Sequence, residues 1–311
     1  MQPKLVVITG PTASGKTALG VMLAQRLGGE VVSADSMQIY RGMDIGTAKP
    51  TPEEMQGVPH HMIGAASPKA DFSVGKYVEL AEPILQDILS RGKTCVVCGG
   101  TGLYADSLLL GRTFAPFPST GVREKLEQEA SVGGIDPLLA RLKAVDPEAG
   151  ARLHPSDRRR IIRALEVYLE TGETISEHNR KTKLLPPKHD AVWLGLSFEN
   201  RQDLYDRIDL RVEKMLEAGL LDEIRALLSS GVPPTATAMQ AIGYKEFVDA
   251  LTTGGDIAAA AALVQQRSRN YAKRQLTWLR RNGQIHWILQ PREPDFSAVF
   301  QQACANIPFF A

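Results

Sequence analysis

The chain has 311 residues, 43% of them hydrophobic, which is enough for one large or two moderate domains with a buried core. No apolar run reaches membrane length, which excludes a spanning helix, and residues 1–4 predict no signal peptide. A formal net charge of +1 argues against non-specific coating of nucleic acid. The three cysteines do not suggest a disulfide framework, so we expect a cytoplasmic protein.

The first predicted element is a strand over residues 5–9, followed by GPTASGKT at 10–17 and a helical pattern over 18–24. GPTASGKT fits the phosphate-loop pattern at every fixed position, and strand, loop and helix together surround a polyphosphate with backbone N–H groups. Lys16 is predicted to reach the outer phosphates, and the Thr17 hydroxyl to bind Mg²⁺. The predicted phosphate-binding residues are Gly10, Pro11, Thr12, Ala13, Ser14, Gly15, Lys16 and Thr17.

A second strand is predicted over residues 31–34, and Asp35 follows it directly. The carboxyl ends of parallel strands line one ligand site, so this carboxylate is expected to face the phosphate loop. It is suited to bind magnesium, to orient an acceptor or to take a proton. A turn or N-cap aspartate is equally common after a strand, and Asp35 by itself does not decide between these roles.

The next predicted strand, 94–98, contains Cys95 and Cys98 and ends in the glycine-rich residues 99–101. Residues three apart on a strand point to opposite faces, which predicts buried structural cysteines. The histidine pair at 60–61 lacks ligand spacing, so no zinc site is expected. Many nucleoside-triphosphate hydrolases carry an acid at this strand end to hold Mg²⁺, and its absence removes one usual part of a phosphoryl-transfer site.

Two further strands are predicted over residues 191–197 and 285–289. The pattern is typical of a P-loop NTPase-like α/β fold, a parallel sheet flanked by helices. Residues 113–189 show no convincing strand and are predicted to form an all-helical insertion that ends in a return linker over 180–188. Its predicted helices lie near 120–131, 136–145 and 156–171, and the α/β domain comprises residues 1–112 and 190–311.

The insertion carries a basic segment at residues 158–163. Arg159 and Arg163 share a polar helix face with Glu166 and Glu170. Ion pairs on a solvated face and contacts to phosphates explain this pattern equally well.

A second basic segment, residues 265–281, contains no acid and carries six cations interleaved with Tyr271 and Trp278. Uncompensated positive charge favours contact with a nucleic acid. Upstream, Gln240, Tyr244 and Lys245 are suited to read or stack on a base, although a simple helix start has the same composition.

These motifs together resemble one family, the bacterial tRNA dimethylallyltransferases, also called tRNA isopentenyltransferases. The likeness runs in order over nearly the whole chain. It rests on GPTASGKT at 10–17, DSMQIYRGMDIGTAKP at 35–50, GGTGLY at 99–104, DRRRIIRALE at 157–166, QAIGYKE at 240–246 and KRQLTWLRR at 273–281.

The resemblance implies transfer of the dimethylallyl group from dimethylallyl diphosphate to the exocyclic N6 amine of an adenine. That adenine lies 3′ of the anticodon in tRNAs that read codons starting with U. Lys16, Thr17 and Mg²⁺ would stabilise the departing diphosphate, and Asp35 would accept the proton of the amine. The implied tRNA-binding residues are Asp35, Ser36, Met37, Gln38, Thr101, Arg123, Arg159, Arg160, Ile161, Ile162, Arg163, Gln240, Ala241, Ile242, Gly243, Tyr244, Lys245, Lys273, Arg274, Gln275, Trp278 and Arg280. The resemblance also implies a monomer without an obligate protein partner.

Three other functions fit part of the pattern. A small-molecule or nucleoside kinase would use Asp35 to orient an acceptor hydroxyl, but the missing strand-end acid and the acid-free segment count against it. A prenyltransferase acting on free adenine nucleotides would leave the insertion without an obvious role. A nucleotide-dependent RNA-binding switch would bind RNA without forming a product.

Overall fold

The computed structural model describes residues 5–111 and 120–307. The chain divides into two compact units: Met1–Gly111 with His189–Ala311, and Arg112–Lys188. These bounds differ by one residue from the predicted insertion at 113–189. Residues 1–4, predicted to lead into the first strand, lie outside the described part, as do residues 112–119 at the predicted boundary. No helix in the described ranges has the length and apolar character needed to cross a bilayer.

The strands are β1 (Leu5–Thr9), β2 (Glu30–Ser33), β3 (His60–His61), β4 (Cys95–Cys98), β5 (Val192–Phe198) and β6 (Ile285–Gln290). The helices are α1 (Lys16–Leu27), α2 (Pro52–Met55), α3 (Val74–Ser90), α4 (Gly102–Leu109), α5 (Val122–Val132), α6 (Asp136–Val145), α7 (Pro147–Arg152), α8 (Arg158–Thr171), α9 (Ile175–Leu184), α10 (Arg201–Glu217), α11 (Leu220–Ser229), α12 (Lys245–Thr253), α13 (Ile257–Leu279) and α14 (Phe296–Ala305). A 3₁₀ turn covers Ala238–Gln240.

The first unit is built on a six-stranded sheet in the order β3-β2-β4-β1-β5-β6, with every pair parallel. Strand β1 is buried on both faces: Leu5 and Val7 pack in one apolar cluster, while Val6 and Ile8 pack in another on the opposite face. The predicted parallel α/β sheet is therefore confirmed. The short strand β3 was not predicted, because two histidines carry no readable strand pattern.

The cysteines of β4 follow the alternation of the strand. Cys95 lies in the first cluster and Cys98 packs against the second, as the sequence predicts. Burial raises the pKa of the Cys95 thiol to about 12 and that of Cys98 to about 11. Both residues therefore stay protonated and act as packing side chains.

The second unit contains five helices within its described residues, α5 to α9, rather than the three predicted. Its core includes Leu126, Leu142 and Leu165. The predicted linker over 180–188 is wrong in its first part, because α9 continues to Leu184. The missed start signal is a capping box, in which the Thr174 side chain and Glu177 exchange hydrogen bonds with each other's backbone.

Glu30 is a buried acid surrounded by cations on the β3 side of the sheet. It is 4% exposed and accepts hydrogen bonds from Arg91 (2.5 and 3.0 Å), Lys93 (2.8 Å) and His61 (2.8 Å). The bonds from Arg91, followed by those from Lys93 and His61, hold the pKa of this carboxyl well below its usual range, although burial opposes the shift. Because the unfolded chain binds the proton more readily, the stabilisation is present above about pH 4.3 and is lost as pH falls below it.

We expect Glu30→Gln to lower the free energy of unfolding at pH 7 by about 1.5–3 kcal/mol, since hydrogen bonds to a charged group are lost. Urea denaturation at pH 7 and pH 3 measures this difference, which should shrink at pH 3. Glu79→Gln is the matched control, because Glu79 forms an exposed ion pair with Lys76. An equal loss at both pH values would show that the charge of Glu30 does not stabilise the fold.

Candidate active site

The phosphate loop lies between β1 and α1 with the predicted strand–loop–helix geometry. Gly10 and Gly15 adopt φ angles of +148° and +87°, and a side chain at Gly10 would clash with the Leu196 carbonyl at 2.4 Å. Helix α1 begins at Lys16 without a side-chain cap and without an acid in its first turn. Its N-terminal N–H groups are therefore available to an anion.

Lys16 lies at the floor of this loop. Its Nζ donates to the Pro11 carbonyl at 2.6 Å, and burial lowers the pKa of the ammonium to about 8. The nearby Arg211 lowers this pKa further, while Asp35 raises it. A partly desolvated cation of this kind is stabilised when an anion binds beside it.

A cavity of about 600 Å³ opens in front of the loop. Lys16 and Thr17 line it together with Asp35, at the end of β2, and Gly99, at the end of β4. The predicted convergence of the three strand ends on one site is confirmed. Of the other predicted loop residues, Thr12, Ala13, Ser14 and Gly15 also line this cavity, whereas Gly10 and Pro11 do not. Gln38 lines it as well.

The two oxygens of Asp35 differ in their hydrogen bonding. Its Oδ1 accepts hydrogen bonds from the backbone N–H groups of Met37 (2.8 Å) and Gln38 (3.3 Å), which is a turn-forming role. Within the described ranges, no hydrogen bond engages Oδ2. One oxygen therefore fixes the turn, while the other remains open to a ligand in the cavity.

The neighbours of Asp35 are held by side-chain hydrogen bonds. The Ser36 N–H donates to Thr101 Oγ1 at 3.2 Å, which places Thr101 beside this turn, as expected. The Gln38 amide donates to the Ala48 carbonyl at 3.1 Å and accepts from Ser33 Oγ at 3.1 Å. Gln38 thus fixes the cavity wall with both ends of its amide.

Two arginines of α10 were missed by the sequence analysis. Arg211 lines the cavity and donates to Thr12 Oγ1 at 3.0 Å, and Arg207 donates to the Ala13 carbonyl at 3.2 Å. Burial lowers the pKa of Arg211, which forms no ion pair within residues 5–111 and 120–307. Helix α10 mixes acids and bases, so nothing in its sequence distinguishes these two arginines.

Gln275, predicted to contact tRNA, is a buried support of the phosphate loop. It is 6% exposed, accepts from the Thr12 N–H at 2.9 Å and donates to the Gly100 carbonyl at 2.9 Å. The side chain also lines the cavity, and its contact with tRNA stays a prediction. Trp278, three residues on, donates to Asp106 at 2.8 Å and is half-buried.

The positive charge of α13 is partly compensated. Arg267 pairs with Glu246, and Arg269 pairs with Asp209 of α10. The prediction of a wholly uncompensated segment is therefore wrong, since the acids come from elsewhere in the chain. The cations that stay exposed without an ion pair in the described part of the chain are Lys273, Arg274, Arg280 and Arg281.

The segment predicted to read a base is largely internal. Tyr244 is fully buried, and its hydroxyl donates to Glu223 at 2.6 Å, so the predicted stacking on a base is wrong. Ala241 and Gly243 are buried as well. Gln240 and Ile242 are partly exposed, and Lys245 is exposed.

In the second unit, Ile161 and Ile162 are fully buried in the core, so their predicted contact with tRNA is wrong. Arg163 pairs with Glu166 at 2.8 Å, and Arg123 approaches the same acid at 3.9 Å. Two further arginines of α8 are exposed: Arg160 lies 3.4 Å from Asp157, while Arg159 forms no ion pair among the described residues.

Comparison with known proteins places this geometry in a family. The family model described as IPP transferase matches residues 38–282, and the model described as isopentenyl transferase matches residues 3–64. The chain belongs to the IPP transferase family.

Curated relatives in this family are named tRNA dimethylallyltransferase. The protein from Geotalea uraniireducens is 45% identical over 99% of this chain and 97% of its own length. The protein from Geobacter sulfurreducens is 47% identical over 94% of each chain.

Solved structures agree. The tRNA isopentenylpyrophosphate transferase from Bacillus halodurans matches with a TM-score of 0.73 and 40% identity, covering 99% of this chain and 98% of that one. A eukaryotic dimethylallyltransferase acting on tRNA matches with a TM-score of 0.81 and 30% identity, covering 97% of this chain and 77% of that one.

The buried position of Gln275 yields a prediction for this IPP transferase. We expect Gln275→Met, of similar length, to lower the free energy of unfolding by about 1–3 kcal/mol, because Thr12 N–H and the Gly100 carbonyl lose their partner. Binding of inorganic pyrophosphate should weaken in parallel, as measured by calorimetry. Gln266→Met, at an exposed position on the same helix, is the control. Unchanged pyrophosphate affinity in Gln275→Met would show that the loop does not depend on this support.

Proposed function

We propose that the chain transfers the dimethylallyl group of dimethylallyl diphosphate to the N6 amine of the adenine 3′-adjacent to the anticodon. The acceptors would be tRNAs that read codons starting with U. One observation carries the proposal: a phosphate loop at an uncapped helix N-terminus, flanked by two half-buried cations, faces a carboxylate with a free oxygen across one cavity. The names of the relatives support the same reaction.

The phosphate loop would hold the leaving group. An allylic C–O bond ionises readily when the charge that develops on the departing diphosphate is stabilised. The N-terminus of α1, Lys16 and Arg211 supply positive charge on one side of the cavity. Because these cations are partly desolvated, their interaction with a diphosphate is stronger than it would be in water.

Asp35 would act on the acceptor. The adenine amine is a poor nucleophile because its lone pair is shared with the ring. As the new N–C bond forms, Asp35 Oδ2 would accept the hydrogen of the amine, while Oδ1 keeps its turn contacts. To reach the site, the adenine must leave its stack, at a cost of a few kcal/mol.

The residues present would suit Mg²⁺ if the substrate diphosphate supplied most of its oxygen ligands. No group of three His, Cys, Asp or Glu residues suited to a metal occurs in the described ranges. Mg²⁺ commonly keeps several waters and binds one or two protein oxygens plus phosphates, which the Thr17 hydroxyl and a diphosphate would provide. When bound, the ion would neutralise part of the charge on the leaving group.

The tRNA would be held by exposed cations on both units. Phosphate contacts need positive charge that is accessible and weakly compensated. Among the residues predicted to contact tRNA, those that meet this condition are Arg159, Arg160, Lys245, Lys273, Arg274 and Arg280. Arg123 and Arg163 would contribute if Glu166 releases them. A cytoplasmic location and a monomeric state remain predictions.

The kinase alternative lacks support. Gly99 directly follows strand β4. A side chain there would clash with the Ala34 carbonyl at 2.2 Å, so an acid cannot replace this glycine without a backbone shift. The relatives are named for dimethylallyl transfer and not for phosphorylation.

Incubation with radiolabelled dimethylallyl diphosphate and either tRNA, AMP or ATP tests the proposal. Label in tRNA alone is expected. Label in AMP or ATP would indicate a prenyltransferase of free nucleotides instead. Phosphorylation of an added nucleoside by γ-labelled ATP would support the kinase. Binding of tRNA that requires ATP and yields no product would support an RNA-binding switch.

The role of Asp35 gives a sharper prediction. Asp35→Asn preserves an oxygen that can accept the two turn hydrogen bonds but removes the base. We expect turnover to fall by about 10²–10⁴-fold, while tRNA affinity in a filter-binding assay stays within twofold. Asp71→Asn, in a loop outside the residues that line the cavity, serves as a control for loss of one surface carboxylate. Unchanged turnover in Asp35→Asn would remove Asp35 as the base.

A further inference from the structure

One wall of the cavity is formed by residues 43–49, which we call the cavity loop. Ile45, Thr47, Ala48 and Lys49 of this loop line the same cavity as Lys16. The loop contains no helix or strand. Turn hydrogen bonds from Ala48 to Ile45 and from Lys49 to Asp44 shape it internally, and contacts from elsewhere in the chain hold it against the rest of the fold.

The principal contact is the carboxylate of Glu223, on α11. Glu223 accepts the backbone N–H groups of Asp44 and Ile45, each at 2.7 Å, and of Gly46 at 3.1 Å. Three successive N–H groups that converge on one anion form a nest, an arrangement that binds negative charge strongly. A carboxylate satisfies it with both oxygens, whereas an amide would place an NH₂ group against N–H donors.

Tyr244 completes this anchor. Its hydroxyl donates to Glu223 at 2.6 Å, and a side chain at Gly46 would meet the Tyr244 ring at 2.5 Å. The loop backbone therefore lies directly on the ring. Burial and the charge of Glu223 raise the pKa of Tyr244, which keeps the hydroxyl protonated as a donor.

The other side of the loop leads to Asp35. The carbonyls of Thr47 and Ala48 accept the Gln38 amide at 3.4 and 3.1 Å, and the Gln38 N–H donates to Asp35 Oδ1. Hydrogen bonds and the covalent backbone of the cavity loop thus connect Glu223 to the proposed base.

We propose that Glu223 is a positioning residue for prenyl transfer, because it fixes the cavity loop as the wall that excludes water from the reacting allylic carbon. This inference rests on the proposed function. If the cavity loop becomes mobile, a water oxygen can bond to the allylic carbon as the C–O bond between that carbon and the diphosphate breaks. The products are then dimethylallyl alcohol and diphosphate, and the water proton goes to solvent.

The test is the partition of radiolabel between dimethylallyl alcohol and prenylated tRNA. For Glu223→Gln we expect the ratio of alcohol to prenylated tRNA to rise at least fivefold and kcat for tRNA prenylation to fall. Tyr244→Phe removes one of the four hydrogen bonds and should raise the ratio less, which keeps the test informative if Glu223→Gln does not fold. Asp222→Asn is the matched control. Asp222 is the chain neighbour of Glu223, and its carboxylate is exposed and pairs only with Arg225 among the described residues.

A merely structural role predicts a different result. Loss of folded enzyme lowers both products together, so an unchanged ratio in Glu223→Gln and Tyr244→Phe would overturn the proposal. If the wild-type protein labels tRNA and both variants show the same ratio of alcohol to prenylated tRNA as the wild type, this inference alone is refuted. Wild-type protein that labels no tRNA would refute the proposed function, and the inference with it.

Discussion

The site depends on one electrostatic constraint: positive charge is held in a partly desolvated cavity, where no carboxylate of the described residues forms an ion pair with Lys16 or Arg211. The uncapped N-terminus of α1, Lys16 and Arg211 all lie there. Burial lowers the pKa of both side chains, which is a direct sign that their charged forms are disfavoured in the absence of a ligand. Binding of an anion of high charge would remove this penalty.

The surrounding polar groups keep the loop in place without neutralising it. Gln275 supports it from α13, Arg207 from α10, and Gln290 from the end of β6, where its amide donates to the Ser14 carbonyl at 3.0 Å. Each of these contacts satisfies a backbone group of the loop and adds no negative charge. The loop is therefore rigid and remains electrostatically open, the condition for stabilising charge that develops on a leaving group.

Two carboxylates near the cavity illustrate how environment assigns a role. Glu223 accepts hydrogen bonds from four donors and holds the cavity loop in place. In Asp35, Oδ1 accepts the turn hydrogen bonds, and Oδ2 is open to a ligand. Both side chains are carboxylates, yet of these two only Asp35 has the free acceptor oxygen that proton transfer requires.

The sequence by itself determined the parallel α/β sheet, the phosphate loop and the position of Asp35, because these follow from periodicity and from glycine at fixed spacing along a short stretch of chain. The tertiary structure alone decided which charged and aromatic residues are available to a ligand. Arg207 meets Ala13 across 194 residues and Glu223 meets Asp44 across 179, so neither pairing leaves a local pattern. Arg267 and Arg269 look uncompensated in sequence, yet acids of other elements pair with them. Tyr244 resembles a ligand contact in the sequence, yet packing buries it completely, because burial is a property of the assembled fold and not of the segment that carries the residue.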